Sequence, residues 1–469
     1  MLILYSPEPS SRFSYEVPQT GTIDVKPPTS HTGPSFPSHL FFDYKKIRVV
    51  RPLFDERITA IALNTSLCFQ PCEKELAVVI GAGIAGLATA LELRAHGFKV
   101  IIAEKRGGFS RSNIVNLNVP VQHFLKKFGL LKEFEECAVR IKTHTLAIIK
   151  KNGDPDLIIS TGGENLPEIP EDPEDFHLLF KEDGLYSIRI KDLQEFLAKK
   201  ALEIGVRMLG NVEADIVQRT PDGGVAKVQI SGKGNRNCPV TFRPDLFFVT
   251  DGAHSPTAER LGIKSETSEN ECSNERWVFA NIKAPINTTR VVSIVNTSGE
   301  ILEIANVIFN AKAGEINVAV TLPKTISEHQ IPALIQKTAN LALTIENNGQ
   351  ILPSVAITPA VPRPVTIQNE RRVISSMSNI VFAGDAAGHS SPLAGLGATL
   401  CLTLFATAVE GLLNDRKKQP LEMHSKYGKL VKAVTETWFD KSKLVKKFCI
   451  LQFYQNNPDQ GLTPKKEKE

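Results

Sequence analysis

The stretch that most restricts what this chain can fold into begins at Leu76 and reads LAVVIGAGIAGLATALELRAHGFKVIIAEKRGGFSR. An apolar run enters a turn built on Gly81, Gly83 and Gly86, a helical pattern follows, and a second apolar run stops at Glu104. In this spacing the first glycine permits a tight turn out of a strand. The second lets a diphosphate approach the backbone, and the third lets the helix pack closely on the strand. Ile84 and Ala85 sit at the start of the helix, where free N–H groups and the positive dipole end suit phosphate. Glu104 comes at the end of the second strand, where a carboxylate accepts a hydrogen bond from a ribose hydroxyl. The pattern predicts a βαβ unit that holds a dinucleotide, and it leaves NAD and FAD both open.

A later stretch, NIVFAGDAAGHSSPLAGLGATL from Asn379, separates the two. A buried strand ends in Gly384-Asp385, a turn of small residues carries Pro392, and Gly395 and Gly397 open a helix. An Asp at a strand end can accept from a ribityl hydroxyl. A helix N-terminus can set N–H groups against the edge of a flavin where charge builds on reduction. NAD enzymes have no use for this second constellation, so FAD is expected.

The three blocks together resemble the group A flavoprotein monooxygenases, with the fold of p-hydroxybenzoate hydroxylase. The resemblance implies that Asp251-Gly252 in FFVTDGAHSPTAERLGI is the central D-G motif, also contacting FAD and helping NADPH or NADH reach it. A more local likeness joins EKRGGFSRSNIVNL, from Glu104, to the MICAL flavin monooxygenases. That likeness implies that Lys105, Arg106, Arg111 and Asn113 border the flavin and that Arg189 or Lys191 reaches its phosphates. Two positions depart from the family: Thr250 stands where a small Ala or Gly usually precedes D-G, and Thr399 where many hydroxylases carry Asn. The FAD contacts carry over; an actin substrate does not. The implied activity is a monooxygenase driven by NAD(P)H, inserting one oxygen of O₂ into an electron-rich, aromatic or apolar small molecule through a flavin hydroperoxide.

Two other functions compete. A related FAD-dependent reductase of isoprenoid double bonds is favoured by GDAAGHSSPLAG, but its Y-x-W-x-F-P box is missing, since Trp277 is followed by VFAN. The W-x-W-x-I-P box of flavin halogenases is missing too. The other competitor is a flavin-binding interaction protein without turnover.

Of the 469 residues 42% are hydrophobic and 23% charged, enough apolar side chain for a large core. The net charge of +4 is small and dispersed, so no nucleic-acid partner is expected. Seven cysteines without a close C-x-x-C pair read as inert thiols, and no metal site is expected. The start lacks signal-peptide features, and Ala398 to Leu413 reads as a buried core helix, short of a span. A cytoplasmic location follows from that reading.

The expected fold class is α/β: a Rossmann-like FAD-binding domain with an inserted antiparallel-sheet substrate domain and a C-terminal helical segment. An irregular arm covers 1–73. The FAD-binding parts are 74–145, 186–262 and 373–415. Strands with an acidic, proline-rich loop fill 146–185, the substrate sheet 263–372, and helices with a charged tail 416–469. Helices are read at Val121 to Cys137 and in KDLQEFLAKKALEIG, where Leu193, Phe196, Leu197 and Ala201 recur at helical spacing, and strands in WVFANIKA, RVVSIVNT, ILEIANVIFNA and EINVAVTLP. Trp277 and Phe279, at alternating positions, are candidates for a substrate pocket and equally for sheet core. His389 is a weak candidate for proton relay, with an ordinary loop hydrogen bond the plainer alternative. The C-terminal lysines among Trp438, Phe439, Phe448 and Phe453 suggest either a helix meeting a membrane surface or partner protein, or a solvated helix with one packed face.

Overall fold

The computed structural model describes residues 75–456, apart from 162–184 and shorter segments, among them 268–274, 347–356, 359–364, 373–378 and 391–395. The arm at 1–73, the acidic loop before Tyr186, Pro392 and Gly395 lie outside the described residues.

The glycine block forms a strand, Leu76–Ile80, a helix, Ile84–Ala95, and a second strand, Lys99–Ala103. The first strand pairs in parallel with the second and with Leu246–Val249. Ile380–Phe382 and Arg207–Leu209 extend the sheet in parallel at its two edges. Strands buried on both faces must be apolar throughout, and LFFV and IVF meet that demand. The helix is buried from Ala85 to Leu93, wedged against the helices Ile190–Glu203 and Leu404–Lys418. Its one buried charge, Glu92, is paired with Lys127 Nζ at 2.7 Å, and Lys127 also reaches Glu410 at 2.8 Å. Burial raises the Glu92 carboxyl above its usual range, while Lys127 holds it down.

The helical pattern from Val121 is not one helix. It divides into Val121–Lys127 and Leu131–Cys137 because Gly129 takes φ +67°, a left-handed conformation that ends the first helix. The apolar run after Gly397 also divides, into Gly397–Leu402 and Leu404–Lys418, at Thr403. Gly397–Arg416 together is long and apolar enough by length and composition to cross a membrane, contrary to the sequence estimate of its length. More than half of that window is buried inside the protein, as expected of a core segment.

The second layer is a large sheet. From one edge the strands are Ile357–Thr358, Glu275–Lys283, Glu315–Thr321, Glu303–Asn310, Arg290–Asn296, His144–Ile149 and Pro155–Thr161, and Val365–Ile367 also pairs with Glu275–Lys283. The pairings are antiparallel except that of His144–Ile149 with Arg290–Asn296, which is parallel. The runs GVAKVQIS and PVTFRP stay outside this sheet. With Val212–Arg219 they form a separate three-stranded one.

Period-two alternation gives the large sheet two distinct faces. Val278, Ile294, Val307, Phe309 and Val318 point to one face and bury against the helix Ile331–Ile345. The other face is covered in two bands. Val291 and Ile308 pack with Ile114, Ile141 and Leu185 of a small sheet made of Ile114–Asn118, Val139–Ile141 and Leu185–Arg189. Trp277, Val295 and Ile304 pack with Cys449 of the C-terminal helix, Met423–Asn456. Tyr427, Val431, Val434, Trp438 and Phe439 of that helix are buried, while Lys429 and Lys432 are exposed. Tyr427, Trp438 and Phe439 therefore belong to the core, while the side chains of Phe448 and Phe453 lie outside the described residues.

Candidate functional site

The glycine turn is shaped by three different constraints. Gly81 takes φ +101°, and a Cβ there would lie 2.7 Å from the Thr250 carbonyl oxygen. Gly86 carries the closest approach: a Cβ would sit 2.0 Å from the Gly81 carbonyl oxygen and 2.7 Å from Thr250 Oγ1. Gly83 has neither problem. Its φ is −67° and ψ 175°, which any residue adopts, and among the described residues a Cβ would meet only the Thr250 carbonyl oxygen at 4.0 Å. Neither backbone nor packing requires glycine at 83, so the open space in front of it points to a ligand. No side chain caps the helix Ile84–Ala95, and its first turn carries no acid. Its N–H groups and positive dipole end face that same space. These features fit a diphosphate.

Glu104 leans across the turn: its Oε2 accepts from Ala82 N at 2.8 Å and its Oε1 from Arg106 N at 3.0 Å. Two contacts were not legible as site features in the sequence. Thr250 reaches from the neighbouring strand and donates its hydroxyl to the Ile80 and Gly81 carbonyls at 2.8 and 3.1 Å. Gln194, buried on its helix, donates to the Ala82 carbonyl at 3.1 Å. The family departure at Thr250 is thus a clasp on the turn. Thr250→Val should lower the melting temperature by roughly 2–6 °C, because the lost hydroxyl bonds are worth about 1–2 kcal/mol. Thermal unfolding with and without FAD checks this; an unchanged melting temperature would mean that the clasp contributes nothing.

Asp251 and Gly252 follow Thr250. Asp251 Oδ2 accepts from Thr257 N at 3.1 Å, while its Oδ1 is buried without a hydrogen-bond partner among the described residues. A buried carboxylate oxygen left unsatisfied is costly, and a ligand hydroxyl or bound water is its natural complement. Gly252 takes φ +96°, which favours glycine.

Gly384, at φ +61°, lets the late block approach the glycine helix, since a Cβ there would stand 2.4 Å from Ala85 Cβ. This brings Asp385 into the same region. Burial raises the Asp385 carboxyl above its usual range, and the Arg111 charge opposes that shift. Burial, with Asp385 adding to it, also pushes the Cys401 thiol well up. Gly397 starts its helix beneath Trp438, whose ring would meet a Cβ at 3.2 Å. Asn118 N donates to Thr399 Oγ1 at 3.1 Å, joining this helix to the small sheet.

The loop after Glu104 runs along the site. Lys105, Arg106 and Arg111 are exposed and Asn113 is half-buried. The Arg111 and Asn113 carbonyls accept from Lys191 N and Ile190 N at 3.0 and 2.8 Å. Arg189 points elsewhere: its guanidinium lies 3.0 Å from Glu315 Oε1 and donates to the Ala313 carbonyl at 3.0 Å. It ties the small sheet to the large one. His389 is buried on a short strand paired with Glu370–Arg372. Trp277 is fully buried and Phe279 half-buried, their rings stacked at 6.3 Å. Of the pocket candidates, only Phe279 retains a surface to offer.

Comparison with known proteins agrees with this geometry. The family described as an FAD binding domain matches residues 75–403. Para-nitrophenol 4-monooxygenase of Pseudomonas sp. (strain WBC-3) is 24% identical over 326 residues, covering 68% of this chain and 73% of its own. Digeranylgeranylglycerophospholipid reductase of Methanococcus vannielii is also 24% identical, over 69% of this chain and 73% of its own. The human [F-actin]-monooxygenase MICAL3 is 41% identical over 61 residues, 13% of this chain and 3% of that protein. Among solved structures, p-nitrophenol 4-monooxygenase PnpA from Pseudomonas putida DLL-E4 superposes with a TM-score of 0.55 at 19% identity, covering 82% of this chain and 99% of its own.

Proposed function

The chain belongs to that FAD-binding family, the group A flavoprotein monooxygenases, and from this premise we propose that it is an NAD(P)H-driven hydroxylase of a planar, electron-rich small molecule. Bound FAD would supply the redox chemistry, taking hydride from NAD(P)H and passing one atom of O₂ to the substrate. The observation that carries the reading is the vacant approach at Gly83 beside an uncapped helix N-terminus, with Glu104, Asp251 and Asp385 ranged around it. Glu104 would hold the adenosine ribose, the helix Ile84–Ala95 the diphosphate and Asp385 the ribityl chain. The N-terminus of the helix Gly397–Leu402 would face the pyrimidine edge and hold the charge that develops there. The half-buried Phe279 offers an apolar wall for a ring. The Pseudomonas sp. relative, named for para-nitrophenol, supports a phenolic substrate. A cytoplasmic location goes with this reading.

The equal identity to the archaeal lipid reductase favours a second reading, reduction of isoprenoid double bonds. Oxygen isotopes separate the two. The purified protein, supplied with NADH or NADPH under ¹⁸O₂ and a panel of phenols, is expected to consume the nucleotide and place one ¹⁸O in a product. Nucleotide consumption that saturates a polyprenyl double bond anaerobically, with no label uptake, would replace the hydroxylase reading with the reductase one. FAD bound without any turnover would leave a non-catalytic flavoprotein.

A further inference from the structure

At the border between the two covered bands of the large sheet runs a row of four side chains, three of them partly exposed. It runs Phe279, Ala319, Asn306, Ser293, each paired with the next across adjacent strands. On one side of this row Val291 and Ile308 lie under the small sheet, and Asn281 donates to the Ser112 carbonyl, beside Arg111, at 2.6 Å. On the other side Trp277, Val295 and Ile304 lie under the C-terminal helix. Phe279, Asn306 and Ser293 keep partial exposure, while the small Ala319 between Phe279 and Asn306 is buried with Trp277, Val295 and Ile304. Beside the row on one side is the loop after Glu104, reached through Ser112, and on the other the helix that touches Gly388–His389.

The polar end of the row is hydrogen-bonded in one direction. Ser293 Oγ donates its proton to Asn306 Oδ1 at 2.6 Å. Its lone pairs alone remain for His144 Nε2 at 2.9 Å, so the imidazole is the donor there. Burial holds His144 down to about 4, so the ring is neutral with its proton on Nε2. With Oδ1 taken, the Asn306 amide has its N–H groups left to give, and no acceptor among the described residues receives them.

We propose that this row floors a substrate groove and that Asn306 is its polar anchor. It donates an N–H to the phenolic or carbonyl oxygen of a planar ring that lies over Ala319 against Phe279, and Ser293 and His144 are positioning residues that fix the amide's orientation. The assignment deepens the hydroxylase reading and rests on it for what happens to the ring, but binding can be measured without turnover.

The test uses the full-length protein carrying FAD, titrated by calorimetry with 2-naphthol and with 2-methylnaphthalene. The two probes share a ring system and differ in the oxygen. Wild type is expected to prefer 2-naphthol by about tenfold, the worth of one well-made hydrogen bond. Asn306→Leu should abolish the preference by weakening 2-naphthol alone, with FAD content unchanged. Asn306→Asp, of the same shape but without N–H donors, should abolish it too and serves if the leucine variant does not fold. His144→Gln can still donate to Ser293 and should keep the preference, whereas His144→Leu should lose most of it. Equal affinity of wild type for the two probes, or a preference that survives removal of the Asn306 amide, overturns the assignment. A preserved preference in wild-type protein that oxidises no NAD(P)H would uphold the anchor and sink the redox reading instead.

Discussion

A Gly83→Val protein is expected to fold like the wild type and to leave purification colourless. The two halves of that result have separate causes. The backbone at 83 is extended, a conformation in which a β-branched residue is at ease, and among the described residues beyond its chain neighbours the new Cβ meets no protein atom nearer than 4.0 Å. The melting temperature of the FAD-free protein should therefore move by no more than about 2 °C, as for surface changes generally. The space the side chain enters is where a diphosphate would lie against the N–H groups of Ile84 and Ala85, so FAD affinity should fall by more than about a hundredfold. Gly86→Val should do the opposite. Its Cβ would sit 2.0 Å from the Gly81 carbonyl oxygen, so the turn and the helix cannot both keep their places. That variant should be insoluble or melt on the order of 10 °C lower, whatever the FAD concentration. Absorbance of the bound flavin and thermal unfolding read both outcomes. A Gly83→Val protein that stays yellow would remove the main argument for the phosphate site; one that fails to fold would show that the glycine is structural after all.

The glycine block was legible because each of its constraints is local. A turn, a close helix–strand approach and an acid at the end of the next strand all lie within one βαβ unit, so spacing alone reports them. The strands from Trp277 to Leu322 were legible for a similar reason, since alternation marks a sheet with two unlike faces. What stayed hidden depends on contacts between distant segments. Thr250 is apart from the turn by about 170 residues and clasps it only because its strand is the neighbour of Leu76–Ile80. Arg189 looks free to reach a phosphate until Glu315, 126 positions away, takes its guanidinium. Trp277 and Phe279 have the same alternating pattern, and only the C-terminal helix decides that the first is sealed and the second is not. The substrate-sheet segment 263–372 also holds a helix, Ile331–Ile345, marked in the sequence by Ile331, Leu334, Ile335, Thr338 and Ala342 at helical spacing and by its early proline. The helical pattern over 121–137 does not report its own break, because a single glycine, Gly129, ends the first helix.

Asp385→Asn is expected to stabilise the protein without FAD and to weaken its hold on FAD. The carboxyl sits half-buried, and burial raises its pKa while Arg111 only partly offsets this. A carboxyl raised in the folded state is harder to ionise there than in the unfolded chain. Stability therefore falls as pH climbs from the unfolded value, 3.8, and the full penalty is present once the folded carboxyl has ionised. At neutral pH the penalty is in force. Asn has the same shape and no charge, so the FAD-free variant should melt higher than wild type at pH 7, and the gap should close as the pH falls below about 4. The cost appears on binding. A ribityl hydroxyl loses a charged acceptor for a neutral one, worth about 1.5–3 kcal/mol and so roughly tenfold to a hundredfold in affinity. Melting curves of the FAD-free proteins across pH, with flavin titrations at pH 7, measure both sides. A variant less stable than wild type at pH 7 would mean that the carboxylate is held by protein partners, and unchanged FAD affinity would mean that the late G-D block does not touch the cofactor through Asp385.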